Sequence, residues 1–411
     1  MERETERSKM RSVSEVRKLK VLSPGKIGTL ELRNRIIRAG CFEGMCPHGA
    51  PSEPLIEHHR EVAAGGVAMT TIAYCSVSFD GRGFSREMWM REEIVPDLQR
   101  LTYAVHQEGA AASIQLAHCG FFANKRVIKR QPLGPSRKFC TFRFTFAKEM
   151  SEEEIDRVTK DFGKAALLSR KAGFDAVEIH AGHGYLLSQF LSPYTNLRRD
   201  KYGGTLENRL RFPAAVIKHV RESLGPGFPI LVKMNLRDGF QGGLELDEAV
   251  EVARRFESEG ASALVLSGGF TAKTPFYMLR GRVPIKEWVE GQRNLTQKLG
   301  LLLFGRFFVQ TYPFEELFFL EDARKVRKAV KVPLVLVGGV CSVDNMEKAM
   351  DEGFDFVQIG RALIREPDLV RRMEKGEWQT SKCDHCNRCV AEMEKGGVWC
   401  VSKVKGDYRG K

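Results

Sequence analysis

The sequence has no apolar run that approaches the roughly 20 residues needed to span a membrane, so a membrane partner is not expected. Residues 1–20 mix basic side chains with four glutamates and lack the apolar core of a secretory signal. We therefore predict a polar lead-in on a cytoplasmic protein. No nucleic-acid recognition motif is recognisable, so nucleic acid is not an expected partner either. These absences favour a soluble globular chain, and its 43% hydrophobic residues are ample for a large core.

Cysteine is scattered along most of the chain and is clustered only near the C-terminus, where four of the ten cysteines lie. Because nothing marks the chain as secreted, a disulfide framework is not expected. Clustered cysteines in a cytosolic protein instead indicate metal binding or redox chemistry. The isolated cysteines are interpreted as packing residues.

Acidic residues are too few to balance the basic ones, and the formal net charge is +13. A basic surface raises the local concentration of anionic ligands. Nucleotide cofactors, acyl thioesters and acidic substrates all fit this description. A basic surface without a special partner is an equally open interpretation.

Eight short β-rich runs recur along the chain, and each is followed by a helical pattern. Several are almost continuously apolar, which is typical of parallel strands covered on both faces. The predicted strands are residues 35–39, 67–73, 112–116, 176–180, 230–235, 263–266, 334–338 and 356–360. The predicted helices between them are residues 152–171, 206–224, 246–259, 314–330 and 344–351.

Alternating strands and helices of this number predict an α/β fold, a (β/α)8 TIM barrel over residues 21–380. A short cysteine-containing extension over residues 381–411 is expected to follow it. A Rossmann sheet is the second choice, because no G-x-G-x-x-G motif joins a first strand to a helix. Two long stretches, 121–150 and 269–312, interrupt the alternation and are expected to form lids or substrate walls. A homo-oligomer is expected.

Polar residues collect where the predicted strands end, which is where barrel enzymes carry their chemistry. The fourth strand ends at His180, and His183 and Tyr185 follow it. Two imidazoles can hold a carbonyl oxygen, and a phenol can give a proton to carbon. A metal-binding pair, or histidines with purely structural contacts, are the alternatives. Lys233 lies within an apolar strand, where it could pair with an anionic cofactor ring or act as a Schiff-base nucleophile.

The last two strands end in glycines, at Gly338, Gly339 and Gly360, and Arg361 comes next. A helix is predicted to begin near Glu366. Barrels often bind phosphate at this place, because the backbone amides can approach the anion closely. Ordinary turn glycines are the alternative.

Residues 178–193 (EIHAGHGYLLSQFLSP) and 196–212 (NLRRDKYGGTLENRLRF) resemble the signature of the Old Yellow Enzyme family. LRNRII at 32–37, IQLAH at 114–118, GGV at 338–340 and IGR at 359–361 match in the same order, so the resemblance covers roughly residues 20–400. It implies FMN held non-covalently on a (β/α)8 barrel and NAD(P)H as the reductant. It also implies that the substrate is a small molecule with an activated alkene, the C=C bond of an α,β-unsaturated carbonyl compound.

The same resemblance assigns roles to individual residues. His180 and His183 would grip the substrate carbonyl, and Tyr185 would donate the proton. The residues implied to bind the cofactor are Ala39, Gly40 and Ala73 beside the ring, Gln115 and Lys233 at its pyrimidine edge, and Gly338, Gly339, Gly360 and Arg361 at the phosphate.

Two departures from the family pattern are visible. Phe42 occupies the position where members commonly place a hydrogen-bonding Thr or Cys near the flavin. Relatives that resemble 2,4-dienoyl-CoA reductase and trimethylamine dehydrogenase also carry a second nucleotide-binding region after the barrel. None is found before Lys411, so electrons are expected from NAD(P)H at the same flavin or from another protein.

The C-terminal cysteines are Cys383, Cys386, Cys389 and Cys400. Four thiolates with this spacing can hold a [4Fe–4S] cluster, and those larger relatives have a similar arrangement. Zinc is the metal alternative, and free thiols without metal are the third. Other functions left open are a flavin-dependent amine or ether dehydrogenase or demethylase, a Schiff-base lyase using Lys233, and an iron–sulfur electron-transfer partner.

Overall fold

A closed ring of eight parallel strands forms the centre of the computed structural model, which describes residues 18–291, 298, 309–393 and 395–403. Each strand pairs with the next along the chain, and the eighth pairs with the first through Val357 and Ile36. The strands are β1 (Ile36–Arg38), β2 (Met69–Ser76), β3 (Ala111–Ala117), β4 (Ala176–Ala181), β5 (Ile230–Asn235), β6 (Ala263–Ser267), β7 (Leu334–Val337) and β8 (Phe356–Ile359). The predicted (β/α)8 barrel is confirmed.

Helices surround the ring of strands: the first seven connect consecutive strands, and the last two follow β8. They are α1 (Glu53–Ala64), α2 (Val95–Gln107), α3 (Glu152–Lys171), α4 (Leu206–Leu224), α5 (Leu246–Ser258), α6 (Leu320–Arg327), α7 (Val343–Asp351), α8 (Arg361–Arg365) and α9 (Leu369–Glu374). Shorter helices lie at Lys125–Ile128, Leu186–Leu191, Ile285–Gly291 and Arg388–Glu392. None of the helices in the described ranges is long and apolar enough to cross a membrane.

Local sequence signals account for the best-predicted elements. Helix α3 begins at a capping box in which the Ser151 hydroxyl accepts from the Glu154 amide and the Glu154 carboxylate accepts from the Ser151 amide. Its apolar residues recur at helical spacing and are buried against the barrel. Both α3 and α4 have the predicted bounds.

Two predicted helices are wrong in their bounds. The helix predicted over 314–330 is confined to α6, because Leu317 has a φ of 53° and its amide donates to the Gly339 carbonyl. This contact bends the chain around the end of β7 before the helix begins. The helix predicted to start near Glu366 also differs, since α8 begins directly after β8. Pro367 keeps Glu366 in a non-helical conformation and separates α8 from α9.

Both ends of the barrel are covered. At the amino end of the strands, the hairpin of Gly25–Ile27 and Leu30–Leu32 inserts Ile27 and Leu32 into an apolar layer with Leu231 and Phe356. At the opposite end lie the long loops after the strands and the C-terminal segment, whose Val398 amide donates to the Glu43 carbonyl. The carboxyl end of the strands is therefore an enclosed mouth.

Gly65, at the end of α1, lies directly against the backbone of Pro367 and Asp368, just before α9. A Cβ at Gly65 would lie 1.8 Å from the Pro367 carbonyl oxygen, and neither backbone can yield easily. We expect Gly65→Ala to lower the free energy of unfolding by about 2 kcal/mol or more, measured by denaturant unfolding. Gly227→Ala is the matched control, because its Cβ would meet only the Thr29 methyl group at 3.5 Å. Equal stability of the two variants would contradict this packing.

Candidate functional site

A buried carboxylate, Glu178 on β4, organises the barrel interior above the apolar layer. It accepts hydrogen bonds from Gln115 Nε2 at 2.6 Å and Gln358 Nε2 at 2.8 Å, and it pairs with Lys233 Nζ at 2.8 Å. All four side chains are buried. The ion pair supplies the partner that a buried lysine needs. It also weakens the Schiff-base alternative, since that reaction requires a neutral amine.

Sequence reasoning missed Glu178 and Gln358. A usable signal was present, because side chains two residues apart on a strand share a face. Glu178 therefore faces the same way as His180, which was predicted to line the site. The identity of its partners depends on the register between strands, where Glu178 lies opposite Gln115.

His180, His183 and Tyr185 come together at the carboxyl end of β4, as predicted. The His180 ring centroid lies 4.9 Å from that of His183 and 4.7 Å from that of Tyr185. His183 has a φ of 57°, and this left-handed conformation turns its ring back beside His180. Its amide donates to Asn235 Oδ1 at 2.9 Å, and its Nε2 lies 2.7 Å from Ser267 Oγ. The ends of β5 and β6 thus position the turn.

Burial keeps both imidazoles neutral. It lowers the pKa of His180 well below its usual range and that of His183 to about 3, and the nearby Lys233 charge lowers both further. A neutral imidazole carries one N–H. The pair can therefore offer hydrogen bonds to a substrate oxygen without adding a formal charge.

Tyr185 has a phenolic neighbour that sequence reasoning missed. The hydroxyls of Tyr74 and Tyr185 are 3.1 Å apart, and both residues are buried. Tyr74 follows Ala73 within β2, one residue beyond the end of the predicted strand. Phe42 packs against this ring at 5.2 Å and stacks on Phe84 at 4.6 Å. Phe42, which replaces the Thr or Cys of the family pattern, thus forms part of an aromatic wall.

The small residues predicted beside the cofactor ring meet at the mouth. A Cβ at Gly40 would lie 3.0 Å from Gln115 Nε2 and 3.2 Å from the Ala73 methyl group, so a side chain would fill this cradle. The amide of Ala39 donates to the Ile359 carbonyl, which places Ala39 beside the end of β8. These contacts fit a flat ring lying over Gln115.

The glycines after β7 and β8 and Arg361 lie at the same end of the barrel as the histidines. Arg361 Nη1 donates to the Arg280 carbonyl and to Asn387 Oδ1, and among the described residues it has no carboxylate partner. Burial lowers the pKa of this guanidinium, with nearby thiols opposing the effect. A partly buried cation without an acidic partner fits an anionic phosphate.

Gly338 and Gly339 have a second explanation. Their φ angles are 101° and 74°, and a Cβ at either would collide with Phe318 or with the backbone of Glu315 and Leu317. Packing and conformation therefore account for both glycines, as the turn-glycine alternative proposed. At Gly360 the nearest atom to a Cβ would be Cys41 Sγ at 3.1 Å, and φ is negative.

The C-terminal cysteines lie in a segment that packs on this mouth. Asn387 anchors it by donating to the carbonyls of Leu279 and Arg282, in addition to accepting from Arg361. Within the ranges that the structure describes, no three His, Cys, Asp or Glu residues form a group that could hold a metal ion. The predicted cluster at Cys383, Cys386, Cys389 and Cys400 thus remains a prediction.

Comparisons with known proteins agree with this geometry. The family model of the NADH:flavin oxidoreductase / NADH oxidase family matches residues 20–266, and a histidine biosynthesis protein model matches residues 318–380. A 4,4'-dithiodibutanoate disulfide reductase from Rhodococcus erythropolis is 43% identical over 92% of this chain and 93% of its own length. An NADH oxidase from Thermoanaerobacter brockii is 29% identical over 89% of this chain, which spans only 52% of that protein.

Solved structures show the same barrel. A 2-naphthoyl-CoA reductase in complex with 2-naphthoyl-CoA has a TM-score of 0.79 at 25% identity, covering 92% of this chain and 56% of that one. An old yellow enzyme homologue from Zymomonas mobilis has a TM-score of 0.70 at 25% identity, covering 89% and 95%. The chain belongs to the NADH:flavin oxidoreductase / NADH oxidase family, and it is an FMN-dependent NAD(P)H oxidoreductase of the Old Yellow Enzyme type.

Proposed function

We propose that this enzyme reduces the C=C bond of α,β-unsaturated carbonyl compounds. The proposal rests on the meeting of His180, His183 and Tyr185 at the barrel mouth. The ring centroids of His183 and Tyr185 lie 4.9 and 4.7 Å from that of His180. Two neutral hydrogen-bond donors and a phenol are what a carbonyl-activated alkene needs. An amine or ether substrate offers no carbonyl for the imidazole pair.

FMN bound at this site would supply the hydride chemistry that links NAD(P)H to the β-carbon of the alkene. Gln115 and Lys233 would hold the pyrimidine edge of its ring, and Glu178 positions both of them from below. The other proposed cofactor contacts are Ala39, Gly40 and Ala73 at the ring and Gly338, Gly339, Gly360 and Arg361 at the phosphate.

The protein's own part is to stabilise the enolate and to supply a proton. His180 and His183 donate to the substrate oxygen as negative charge develops on it. Tyr185 gives its phenolic proton to the α-carbon. Burial raises the pKa of Tyr185 above its usual range, so the phenol is protonated at neutral pH.

A buried polar chain leads away from Tyr185. The Tyr74 hydroxyl lies 3.1 Å from that of Tyr185 and 3.9 Å from Cys119 Sγ, which in turn lies 3.9 Å from Glu87 Oε1. Burial raises the pKa of Glu87 to about 8, although it accepts from two backbone amides. A protonated carboxyl at the end of this chain can replace the proton that Tyr185 gives up.

Reduction of an organic disulfide is the second candidate function. It is favoured by the 43% identity to a 4,4'-dithiodibutanoate disulfide reductase along 92% of the chain. In this reaction a hydride adds to one sulfur, the S–S bond breaks, and the other sulfur leaves as a thiolate. Because an ordinary thiol has a pKa of only about 8.5, the thiolate can leave without a proton from Tyr185, and water protonates it afterwards.

The four C-terminal thiols are proposed to hold a [4Fe–4S] cluster, with zinc as the alternative. The spacing Cys-x-x-Cys-x-x-Cys, with Cys400 as a fourth thiol, supports the proposal.

The proton-donor role predicts a selective defect in Tyr185→Phe. We expect alkene reduction to slow by roughly 100-fold or more, while flavin reduction by NAD(P)H stays within about threefold. Disulfide reduction should be much less affected than alkene reduction. Stopped-flow kinetics of the separate half-reactions measure all three. Tyr103→Phe is the control, because it removes a phenolic hydroxyl from a 64% exposed position on α2. Equal losses in both half-reactions of Tyr185→Phe would remove the role.

The raised pKa of Glu87 predicts how stability depends on pH. The ordinary pKa is 4.5, and the folded value is about 8. The protonated carboxyl therefore stabilises the fold fully below about pH 4.5, and this contribution is lost as the pH rises to about 8. Relative to Glu87→Gln, the unaltered protein should lose up to about 1.4 kcal/mol of unfolding free energy per pH unit across this range.

Denaturant unfolding at several pH values between 5 and 8.5 checks the Glu87 prediction. Glu207→Gln is the control, because Glu207 is 79% exposed on α4 and should give a difference that does not change with pH. Parallel stability curves for Glu87→Gln and the unaltered protein would show that the carboxyl is ionised in the fold.

Anaerobic purification tests the cofactor content. We expect a yellow protein with a flavin spectrum and, if the thiols hold the cluster, about four iron atoms and four sulfides per chain. Cys386→Ala should abolish iron binding, and Cys140→Ala, an isolated buried cysteine, should retain it. One zinc per chain, or no metal at all, would contradict the cluster without affecting the flavin proposal.

A further inference from the structure

Two lysines from different loops lie against one aromatic ring at the barrel mouth. Lys138 Nζ is 3.9 Å and Lys273 Nζ is 4.3 Å from the centroid of Tyr194, and Lys273 Nζ is also 4.1 Å from that of Phe240. Lys138 belongs to the loop after β3, Tyr194 to the loop after β4 and Lys273 to the loop after β6. All three loops start at the carboxyl ends of strands, the end that carries the site.

The two ammonium groups have no acidic partner among the described residues. Both lysines are only partly exposed. Burial lowers the pKa of Lys138, and the charge of Lys273 lowers it further. Cation–π contacts with the aromatic rings offset part of this cost. The remaining repulsion between two like charges would be relieved by an anion.

A single aromatic ring separates the lysine pair from the catalytic turn. The Phe270 centroid is 6.0 Å from that of Tyr194 and 5.6 Å from that of Phe240. On its other side, a Cβ placed on Gly184 would lie 2.6 Å from the Phe270 ring, so Phe270 packs directly on the turn between His183 and Tyr185.

The backbone makes the same connection. The Thr271 hydroxyl donates to the His183 carbonyl at 2.8 Å, and its amide donates to that oxygen at 2.9 Å. Lys273 follows two residues later in this loop. These two hydrogen bonds therefore fix the loop that carries Lys273 to the turn that carries His183.

We propose that Lys138 and Lys273 bind a carboxylate at the far end of the substrate, with Tyr194 and Phe240 contacting the aliphatic chain that links it to the reacting group. The inference rests on the proposed reaction site and specifies its substrate class, which is an electrophile with an anionic tail. Each lysine presents a compact charge and lacks the planar guanidinium with which arginine binds a carboxylate in two places. The pair therefore suits a small carboxylate that can shift between the two ammonium groups. The net charge of +13 adds long-range attraction for such a substrate.

The test compares substrates that differ only in the charge of the tail: a cyclohexenone carrying a butanoate chain and its primary amide. In the Lys138→Gln/Lys273→Gln double variant, kcat/KM for the acid should fall about 10- to 100-fold, mainly through KM, with the amide changed less than about threefold. The acid's advantage in the unaltered enzyme should also shrink as salt is raised. The Lys331→Gln/Lys348→Gln double variant, at two exposed lysines, is the charge-matched control and should change the kinetics of neither substrate.

A binding measurement keeps this inference separate from the proposed reaction. Isothermal titration calorimetry uses the saturated cyclohexanone analogues of the acid and of its amide. It measures their binding without any turnover. Preferential binding of the acid that is lost in the double variant supports the carboxylate site, even if no alkene is reduced. Equal binding of acid and amide by the unaltered protein, or equal loss of both in the double variant, overturns it.

Discussion

The barrel interior depends on one buried carboxylate, Glu178, which satisfies side chains from three other strands. Without Lys233 it would be an isolated buried anion, and without Glu178 the lysine would be an isolated buried cation, so each is tolerable only beside the other. The amides of Gln115 and Gln358 complete its coordination and are thereby held in place. The groups proposed to meet the flavin edge are consequently oriented before any ligand arrives.

Above that layer the site depends on neutral polar groups. The burial that keeps His180 and His183 uncharged also keeps the Tyr185 phenol protonated. Donors that are uncharged in the ground state interact most strongly when charge appears on the substrate, which is the condition for stabilising a transition state. Desolvation by the surrounding aromatic wall, including Phe42, is thus part of the chemistry as well as of the packing.

The mouth has cations in two separate places, one proposed to bind the cofactor phosphate and the other proposed to bind the substrate. Arg361 lies near the ends of β7 and β8 among thiols and backbone carbonyls, where an anionic phosphate fits. Lys138 and Lys273 lie in the loops that follow β3 and β6, on an aromatic surface that suits an organic chain. Cofactor and substrate would each bring a negative group to a different cation, so the two anions do not compete for one charge.

The sequence by itself determined the barrel, because the strands are buried on both faces and therefore read as apolar runs whatever their partners. It also determined the site at β4, since His180, His183 and Tyr185 are neighbours along the chain and need only one turn to meet. The tertiary structure alone decided the contacts between distant segments. Examples are the three partners of Glu178 and the approach of Tyr74 to Tyr185.

The bounds of α6 were decided in the same way. Local pattern favours a longer helix, but the hydrogen bond from the Leu317 amide to the Gly339 carbonyl at the end of β7 prevents it. Lys138 and Lys273 are 135 residues apart in the chain, and no periodicity relates them. Their meeting on Tyr194 follows from barrel closure, which brings the loops after nonadjacent strands to one rim. Closure is a property of strand register, and register depends on contacts between segments that local sequence does not encode.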